Sequence, residues 1–399
     1  MKKKEDSTNA LKELFELTLK SVEKTYGRKI FNIEDSHVKF GVHRYLSTGL
    51  PSWDLHLPHN KERTQYGIPY GRIIEVHGES SSCKTTLAMN LAAENTASGG
   101  LTYWCQSEGD FDRDYANHFL RERGVDVDGE KDAESLWAVA DPTTLKDLFQ
   151  VVKGIVAPIR EVADKIEEQG GNPLEKLPPI LIVIDSLAAL SGDEDRSRLD
   201  NDWDDGTKVG GHAGEMHRFF KFFIRDFARL GIMLFMTNHY RADLGFGKRT
   251  KIPAHESAIR YYTSLRMSLG RGYDKANLNK TVTRGGLEYD IGFPLNVGIY
   301  KIRGEYVQDG ELSVPYYDNH GFDYLASLID ALRLTGLLNE RAGVYEFNEL
   351  PEGMEDKVQG KIAKKELRSL LRDDLGLAVK LERMAMKRGP SFLEDMRKV

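Results

Sequence analysis

Beyond Gly71 the chain alternates short, nearly continuous apolar runs with longer segments whose apolar positions recur every three or four residues. "RIIEV" predicts a buried strand, "TTLAMNLAAENTA" a helix, "LTYWC" a strand, "RDYANHFLRERG" a helix closing at Gly124, and "LWAVA" another strand. A helical region from about Thr143 to Gln169 precedes the apolar strand within "PPILIVIDSLAAL". "EMHRFFKFFIRDFARLG" then predicts a helix and "IMLFMTN" one more buried strand. Strands that are apolar on both faces need cover on both faces, so the pattern predicts an α/β domain whose mostly parallel, twisted sheet is flanked by helices. After Tyr261 the segments become strand-rich ("SLRMSLG", "LNVGIYKI", "ELSVPYY"), and helices return at "FDYLASLIDALRLTG" and in the C-terminal segment. At the other end, "NALKELFELTLKSVEKTY" sets Leu11, Phe15, Leu19, Val22 and Tyr26 at helical spacing. This amphipathic arm needs a surface for its stripe, on its own domain or on a neighbouring subunit.

Composition changes this picture little. With 40% hydrophobic and 30% charged residues the 399-residue chain is an ordinary globular one. No run reaches the roughly 18 apolar residues of a membrane span, and the start is broken by Glu13, Glu16 and Lys20, so the expected location is cytoplasmic, with no membrane partner. Two cysteines, Cys83 and Cys105, exclude a disulfide framework and a Cys-rich zinc module. Net charge is -6, yet the stretch from Lys357 to Val399 is net basic: a surface for polyanions or a solvated helical face. Two loops stand out, the acidic "SGDEDRSRLDNDWDDGTKVGG" and the basic "HYRADLGFGKRTKIPAHES".

The chemistry begins at "HGESSSCKTTLAM". A strand, a tight turn and a helix N-terminus aim successive backbone N–H groups at phosphates. In the pattern G-x-x-x-x-G-K-[ST], Gly78, Lys84 and Thr85 stand at the required spacing, with Glu79, Ser80, Ser81 and Ser82 in the turn and Thr86 following. Lys84 would neutralise the outer phosphates of ATP and the Thr85 hydroxyl would hold Mg²⁺. Cys83 stands where the second glycine belongs; since any non-proline residue supplies the N–H, the variant is expected to be tolerated, and a thiol beside Lys84 at a helix start is expected to lean towards thiolate. "ILIVIDS" ends an apolar strand on Asp185, placed to orient the magnesium shell. Glu108, just past "LTYWCQS", would polarise a water. Each carboxylate alone is a common feature; together with the loop they predict nucleoside-triphosphate hydrolysis. No N-K-x-D motif supports a GTPase.

These residues resemble the RecA recombinase family, in its phage UvsX-like branch. "YLSTGLPSWDL" and "YGIPYGRIIEVHGESSSCKTT" are similar to the segment leading into that family's phosphate loop, "SEGDFDRDYANHFLRERGVDVD" to the stretch with its catalytic glutamate, "VIDSLAAL" to its second nucleotide motif, and "RAGVYEF" to a later segment, from about Asn9 to Phe347 in all. The resemblance implies that Glu108 activates the attacking water and that Asp112 and Tyr115 contact adenine, Tyr115 by stacking. It places the phosphate sensor at Asn238 or His239, makes Lys301 and Arg303 cations that reach a neighbouring subunit's ATP, and puts Arg241, Phe246, Lys248, Arg249 and Lys251 in the principal DNA-binding loop. The acidic loop takes the place of the first DNA-binding loop, although Asp193, Glu194, Asp195, Asp200, Asp202, Asp204 and Asp205 oppose phosphates. Residues 129–178 exceed a minimal family core by an extra or extended helix.

The implied organisation is an N-terminal helix and linker for subunit packing (1–50), a RecA-like P-loop core (51–325) with DNA-binding loops near 192–212 and 240–257, and a small basic C-terminal α/β or helical region (326–399). The implied activity is that of an ATP- and Mg²⁺-dependent recombinase that forms a helical filament on single-stranded DNA and exchanges strands with duplex DNA, with single-strand-binding and mediator proteins as further candidate partners. Two rivals remain: a hexameric DNA helicase on the same fold, and a recombination mediator with little hydrolysis.

Overall fold

The computed structural model describes residues 17, 18, 20–22, 24, 25, 41–127, 137–191, 211–242, 251–272, 281–284, 287–302, 310–318, 320–351 and 361–390. The chain divides into two units, Met1–Gly41 and Val42–Val399. In the first, the described residues 17–25 are helical and Leu17 and Val22 are exposed; Leu11, Phe15, Leu19 and Tyr26 lie outside the described residues.

The second unit begins with strand β1 (Tyr45–Leu46), helix α1 (Pro51–Asp54) and β2 (Ile68–Pro69), then runs β3 (Ile73–Gly78), α2 (Lys84–Ala97), β4 (Leu101–Gln106), α3 (Arg113–Glu122), β5 (Trp137–Ala140), α4 (Leu145–Glu168), α5 (Pro173–Lys176) and β6 (Ile180–Asp185). It continues with α6 (Gly211–Leu230), β7 (Ile232–Ala242), β8 (Lys251–Pro253), α7 (Glu256–Tyr262), β9 (Leu265–Arg271), β10 (Thr281–Arg284), β11 (Leu287–Asp290), β12 (Gly292–Ile302), β13 (Gly310–Tyr317) and β14 (Gly321–Phe322). Last come α8 (Tyr324–Leu334), β15 (Leu338–Arg341), β16 (Val344–Phe347), β17 (Lys361–Ala363), α9 (Lys364–Asp373) and α10 (Leu375–Arg388).

Among the described residues ten strands form one sheet, in the order β14-β13-β12-β9-β3-β7-β6-β4-β5 with β8 attached to β7. From β9 to β5 every pairing is parallel; β12, β13, β14 and β8 are antiparallel additions. This is the α/β architecture that the apolar strands predict. Its strands contribute alternately to two cores. Ile74, Val76, Trp104, Val183 and Phe235 pack on one face with α2 and α3, while Ile73, Ile182, Leu234 and Met236 pack on the other with the Phe219, Phe220, Phe223 and Phe227 stripe of α6. α4 is the long helix expected before β6. A reciprocal cap starts it, the Thr144 hydroxyl accepting from Asp147 N and the Asp147 carboxylate from Thr144 N. Arg160 and Arg229 then tie it to α6 through Asp226, Asp164 and Glu167. A third core, around Leu328, Tyr345, Leu371 and Leu381, joins α8, α9, α10 and the sheet β15-β16-β17. No helix among the described residues is long and apolar enough to cross a membrane.

The sequence expectation of a loop starting at His239 needs correction. β7 runs through His239 to Ala242, and Tyr240, Arg241 and Ala242 pair with Pro253, Ile252 and Lys251. The base of the basic segment is therefore a two-stranded ribbon, because Asn238 and His239 continue the ladder on β3 and Tyr240, Arg241 and Ala242 find partners on the returning chain. Phe246, Lys248 and Arg249, the acidic residues 193–205 and Arg303 lie outside the described residues.

Candidate functional site: a phosphate loop at the sheet's carboxyl edge

Parallel strands bring their carboxyl ends to one edge, where open α/β sheets place their ligands. The register puts Gly78 of β3 beside His239 of β7, and Gln106 of β4 beside Asp185 of β6. The strand-loop-helix motif, its partner carboxylate and the candidate water activator thus converge.

Gly78 opens the loop under a steric demand: a Cβ there would lie 2.3 Å from the Leu269 carbonyl oxygen and 2.5 Å from Ser82 Oγ. The turn then passes through left-handed backbone at Ser81 and Cys83, with φ of 59° and 61°, and Ser82 Oγ donates to the Glu79 carbonyl at 2.9 Å. α2 starts at Lys84 with no side-chain cap hydrogen bond on its N-terminus, which suits first-turn N–H groups that serve an anion. Lys84 is buried and curls over the loop, Nζ donating to the Glu79 carbonyl at 2.6 Å and the Gly78 carbonyl at 3.3 Å. Burial holds its amine below the usual lysine range, opposed by the charges of Glu108 and Asp185. Glu79, Ser80 and Thr85 are exposed at the rim, and Thr86 is buried behind it.

The Thr85 hydroxyl neighbours Asp185 and works to lower its carboxyl, and Thr237 Oγ1 donates to Asp185 Oδ1 at 2.5 Å. Burial pushes the Asp185 carboxyl above its usual range, and the neighbouring charges of Glu108 and Asp110 push the same way. A hydroxyl and a buried, electrostatically disfavoured carboxylate beside a phosphate loop form a donor set that fits Mg²⁺, which takes one or two protein oxygens besides water and phosphate.

Glu108 is held from two sides. Ser186 Oγ donates to its Oε1, and His239 Nε2 lies 3.3 Å from the same oxygen. Ser107 Oγ in turn donates to the Ser186 carbonyl at 2.5 Å, closing the loop of β4 onto the end of β6. Of the two candidate sensors, His239 faces this edge. Asn238 is buried and spent inside, donating to Glu75 Oε1 and the Ala254 carbonyl, both at 2.8 Å, and accepting from His239 N at 2.9 Å.

A family model described as the RecA N-terminal domain matches residues 13–131. Protein RecA of Rippkaea orientalis is 26% identical over 336 residues, covering 83% of this chain and 81% of that protein. Protein RecA of Arthrospira platensis is 26% identical over 333 residues, covering 83% and 77%, and Protein RecA of Ruegeria pomeroyi is 29% identical over 207 residues, covering 51% and 50%. The chain is RecA-like. The matched segment carries the phosphate loop, Glu108 and Tyr115, and the mostly parallel sheet is a RecA-like core.

Other expected residues of this RecA-like chain fall as follows. Asp112 Oδ1 caps α3, accepting from Tyr115 N at 3.0 Å. Tyr115 sits half-buried on Phe119, its hydroxyl donating to Thr86 Oγ1 at 3.0 Å. Lys301 is remote from the phosphate loop: β12 sets it level with Arg266, and β9 sets Arg266 level with Glu75, three residues before Gly78. At roughly 3.3 Å per residue that is about 10 Å back along the strand, besides the two-strand separation. Its Nζ donates to the Arg260 carbonyl of α7.

Sequence reading missed two groups here. Ser186 is one serine after the motif aspartate, with nothing in the pattern to mark it. Tyr316 of β13 lies beside the Tyr115 hydroxyl, and Asp318 and Arg271 lie in electrostatic reach of Cys83; the aromatic run "PYY" was the available signal. The thiolate expectation at Cys83 is overturned. The side chain is turned into the structure, and burial pushes the thiol up to about 12, more than Arg271 and Lys84 offset.

Proposed function

We propose that this RecA-like protein is an ATP-dependent DNA recombinase that polymerises on single-stranded DNA, pairs it with homologous duplex and exchanges strands. The observation that carries the proposal is the convergence, at one sheet edge, of the uncapped phosphate loop, the Thr85–Asp185 pair, and a glutamate held by Ser186 and His239. In this reading Lys84 exchanges the loop carbonyls for phosphate oxygens of ATP. Thr85 and Asp185 would hold Mg²⁺, whose charge offsets that of the phosphates. Glu108 orients water and accepts its proton, Ser186 fixes the carboxylate, and His239 senses the terminal phosphate through its contact with Glu108. Tyr115 and Tyr316 would line the base side, with Asp112 fixing the start of α3. Lys301 and Arg303 would complete a neighbouring subunit's site, making hydrolysis depend on assembly. Arg241 and Lys251 on the ribbon, with Phe246, Lys248 and Arg249 beyond it, would take DNA backbone and bases, so binding would be sequence-tolerant and salt-sensitive.

Electron microscopy of the protein on single-stranded DNA with a slowly hydrolysed ATP analogue tests this reading. Open helical filaments are expected; closed rings would favour a helicase, and discrete particles a mediator. Glu108→Gln should keep the filament and lower turnover by about 10²-fold or more, the ordinary weight of a general base. Wild-type hydrolysis by that variant would remove Glu108 from the chemistry.

A further inference from the structure

A cluster of charged and polar groups lies buried beneath the site, on the face of the sheet opposite α2. Glu75, in the middle of β3, has no exposed surface, and Arg266 of β9 is 3% exposed. Arg266 Nε donates to Glu75 Oε2 at 2.5 Å, and its two terminal nitrogens grip the Glu256 carboxylate at 2.8 and 2.5 Å. Glu75 Oε1 accepts from Asn238, whose amide also reaches the Ala254 carbonyl. His77 Nδ1 lies 3.8 Å from the same carboxylate, and its ring packs edge-on against Tyr240, centroids 5.1 Å apart. Burial by itself would raise the Glu75 carboxyl, but the neighbouring His77 and the Arg266 guanidinium outweigh it and hold the group below its usual range.

The network joins named parts of the machine. Asn238 and Tyr240 flank His239 on the outgoing leg of the ribbon. Ala254 and Glu256 follow its returning leg. Glu75 and His77 lie on the strand that delivers Gly78 to the phosphate loop. Buried ion pairs are a weak way to gain stability, since well-packed apolar side chains of similar volume do as well or better; what they supply is a fixed geometry. We infer that Glu75, Arg266 and Glu256 are positioning residues that lock both legs of the basic ribbon to the phosphate-loop strand, so that occupancy of the loop is felt as a change in the ribbon's grip on DNA. This rests on the proposed function above.

Glu256 is the residue for the test, because it is partly exposed and removing it leaves Glu75 and Arg266 paired in the core. In the full-length protein, affinity for a fluorescent single-stranded oligonucleotide is measured with and without a slowly hydrolysed ATP analogue, and affinity for the analogue is measured alone. Glu256→Ala should keep analogue affinity, nucleotide-free DNA affinity and the cooperative unfolding transition. It should cut the analogue-dependent gain in DNA affinity about tenfold, within the usual range for coupled sites. Glu256→Gln, which retains an acceptor for Arg266, should recover part of that gain. A folded Glu256→Ala protein with the full wild-type gain overturns the inference. Were the wild-type protein itself to show no analogue-dependent gain, the recombinase reading would fall instead.

Discussion

Two buried carboxylates on this sheet behave in opposite ways. Glu75 lies in mid-strand on β3 with a guanidinium, an amide and an imidazole around it, and its acidity is strengthened. Asp185 ends β6 with a hydroxyl donor from Thr237 and the Thr85 hydroxyl nearby; Glu108 and Asp110 crowd it with like charge, Lys84 is the cation within reach, and its acidity is weakened. The first charge is matched within the chain, so it serves geometry. The second has hydroxyls and no guanidinium at hand and shares the Lys84 charge with Glu108, and a carboxylate kept at that cost at a ligand-binding edge is suited to an incoming cation.

Breaking the matched pair should have the largest effect. Arg266→Met leaves Glu75 buried without its counter-charge and should cost about 3–5 kcal/mol at neutral pH, the usual penalty for removing one partner of a buried pair. The sign with pH follows from the lowered carboxyl. Its stabilising contribution is present above the ordinary glutamate range and is lost as pH falls, so the deficit of the variant should shrink below about pH 4.5. Chemical denaturation at several pH values measures both; a pH-independent deficit would show that the substitution costs packing and not charge.

The unmatched carboxylate should respond in the opposite direction and more weakly. Because the Asp185 carboxyl is raised in the folded state, its contribution is greatest below the ordinary aspartate range and is lost as pH rises through the folded value. Asp185→Asn keeps an acceptor for Thr237 and should be more stable than wild type by about 1 kcal/mol at pH 8 without nucleotide, a gain that fades towards pH 4. The same variant should lose hydrolysis and gain less stability from Mg²⁺ and ATP than wild type does. An Asp185→Asn protein less stable than wild type at every pH would make Asp185 a structural residue like Glu75.

The contrast also explains what the sequence could reveal. Asp185 was legible because an uninterrupted apolar run stops on it, and because parallel strands must end on the edge where the glycine loop turns. Glu75 and Arg266 were visible as opposite charges inside two apolar runs, "RIIEV" and "SLRMSLG". Pairing them required knowing that β3 and β9 are neighbours, although nearly two hundred residues separate them. Tyr316 and Tyr115 meet by the same kind of long-range closure. The end of β7 was misjudged for a local reason: hydrophobic periodicity stops at Thr237, whereas strand pairing continues through Ala242 on backbone hydrogen bonds that side-chain pattern does not record.

Cys83 supplies the smallest effect and a third buried ionisable group. Its φ of 61° is a conformation that glycine adopts freely and that costs other residues about 1–2 kcal/mol. Cys83→Gly therefore gains by relief of strain. It loses by giving up a buried side chain and by loosening the unfolded chain, each worth about 1 kcal/mol or less. The opposing effects should leave stability within about 1 kcal/mol of wild type and hydrolysis nearly unchanged, since a backbone N–H to offer a phosphate is present in both. With both thiols pushed up to about 12, a thiol-reactive dye should label the native protein slowly at pH 7.5 and faster as pH rises, because only the thiolate attacks. Rapid labelling of Cys83 at neutral pH would mean that the loop turns this side chain outward and that burial no longer holds its thiol up.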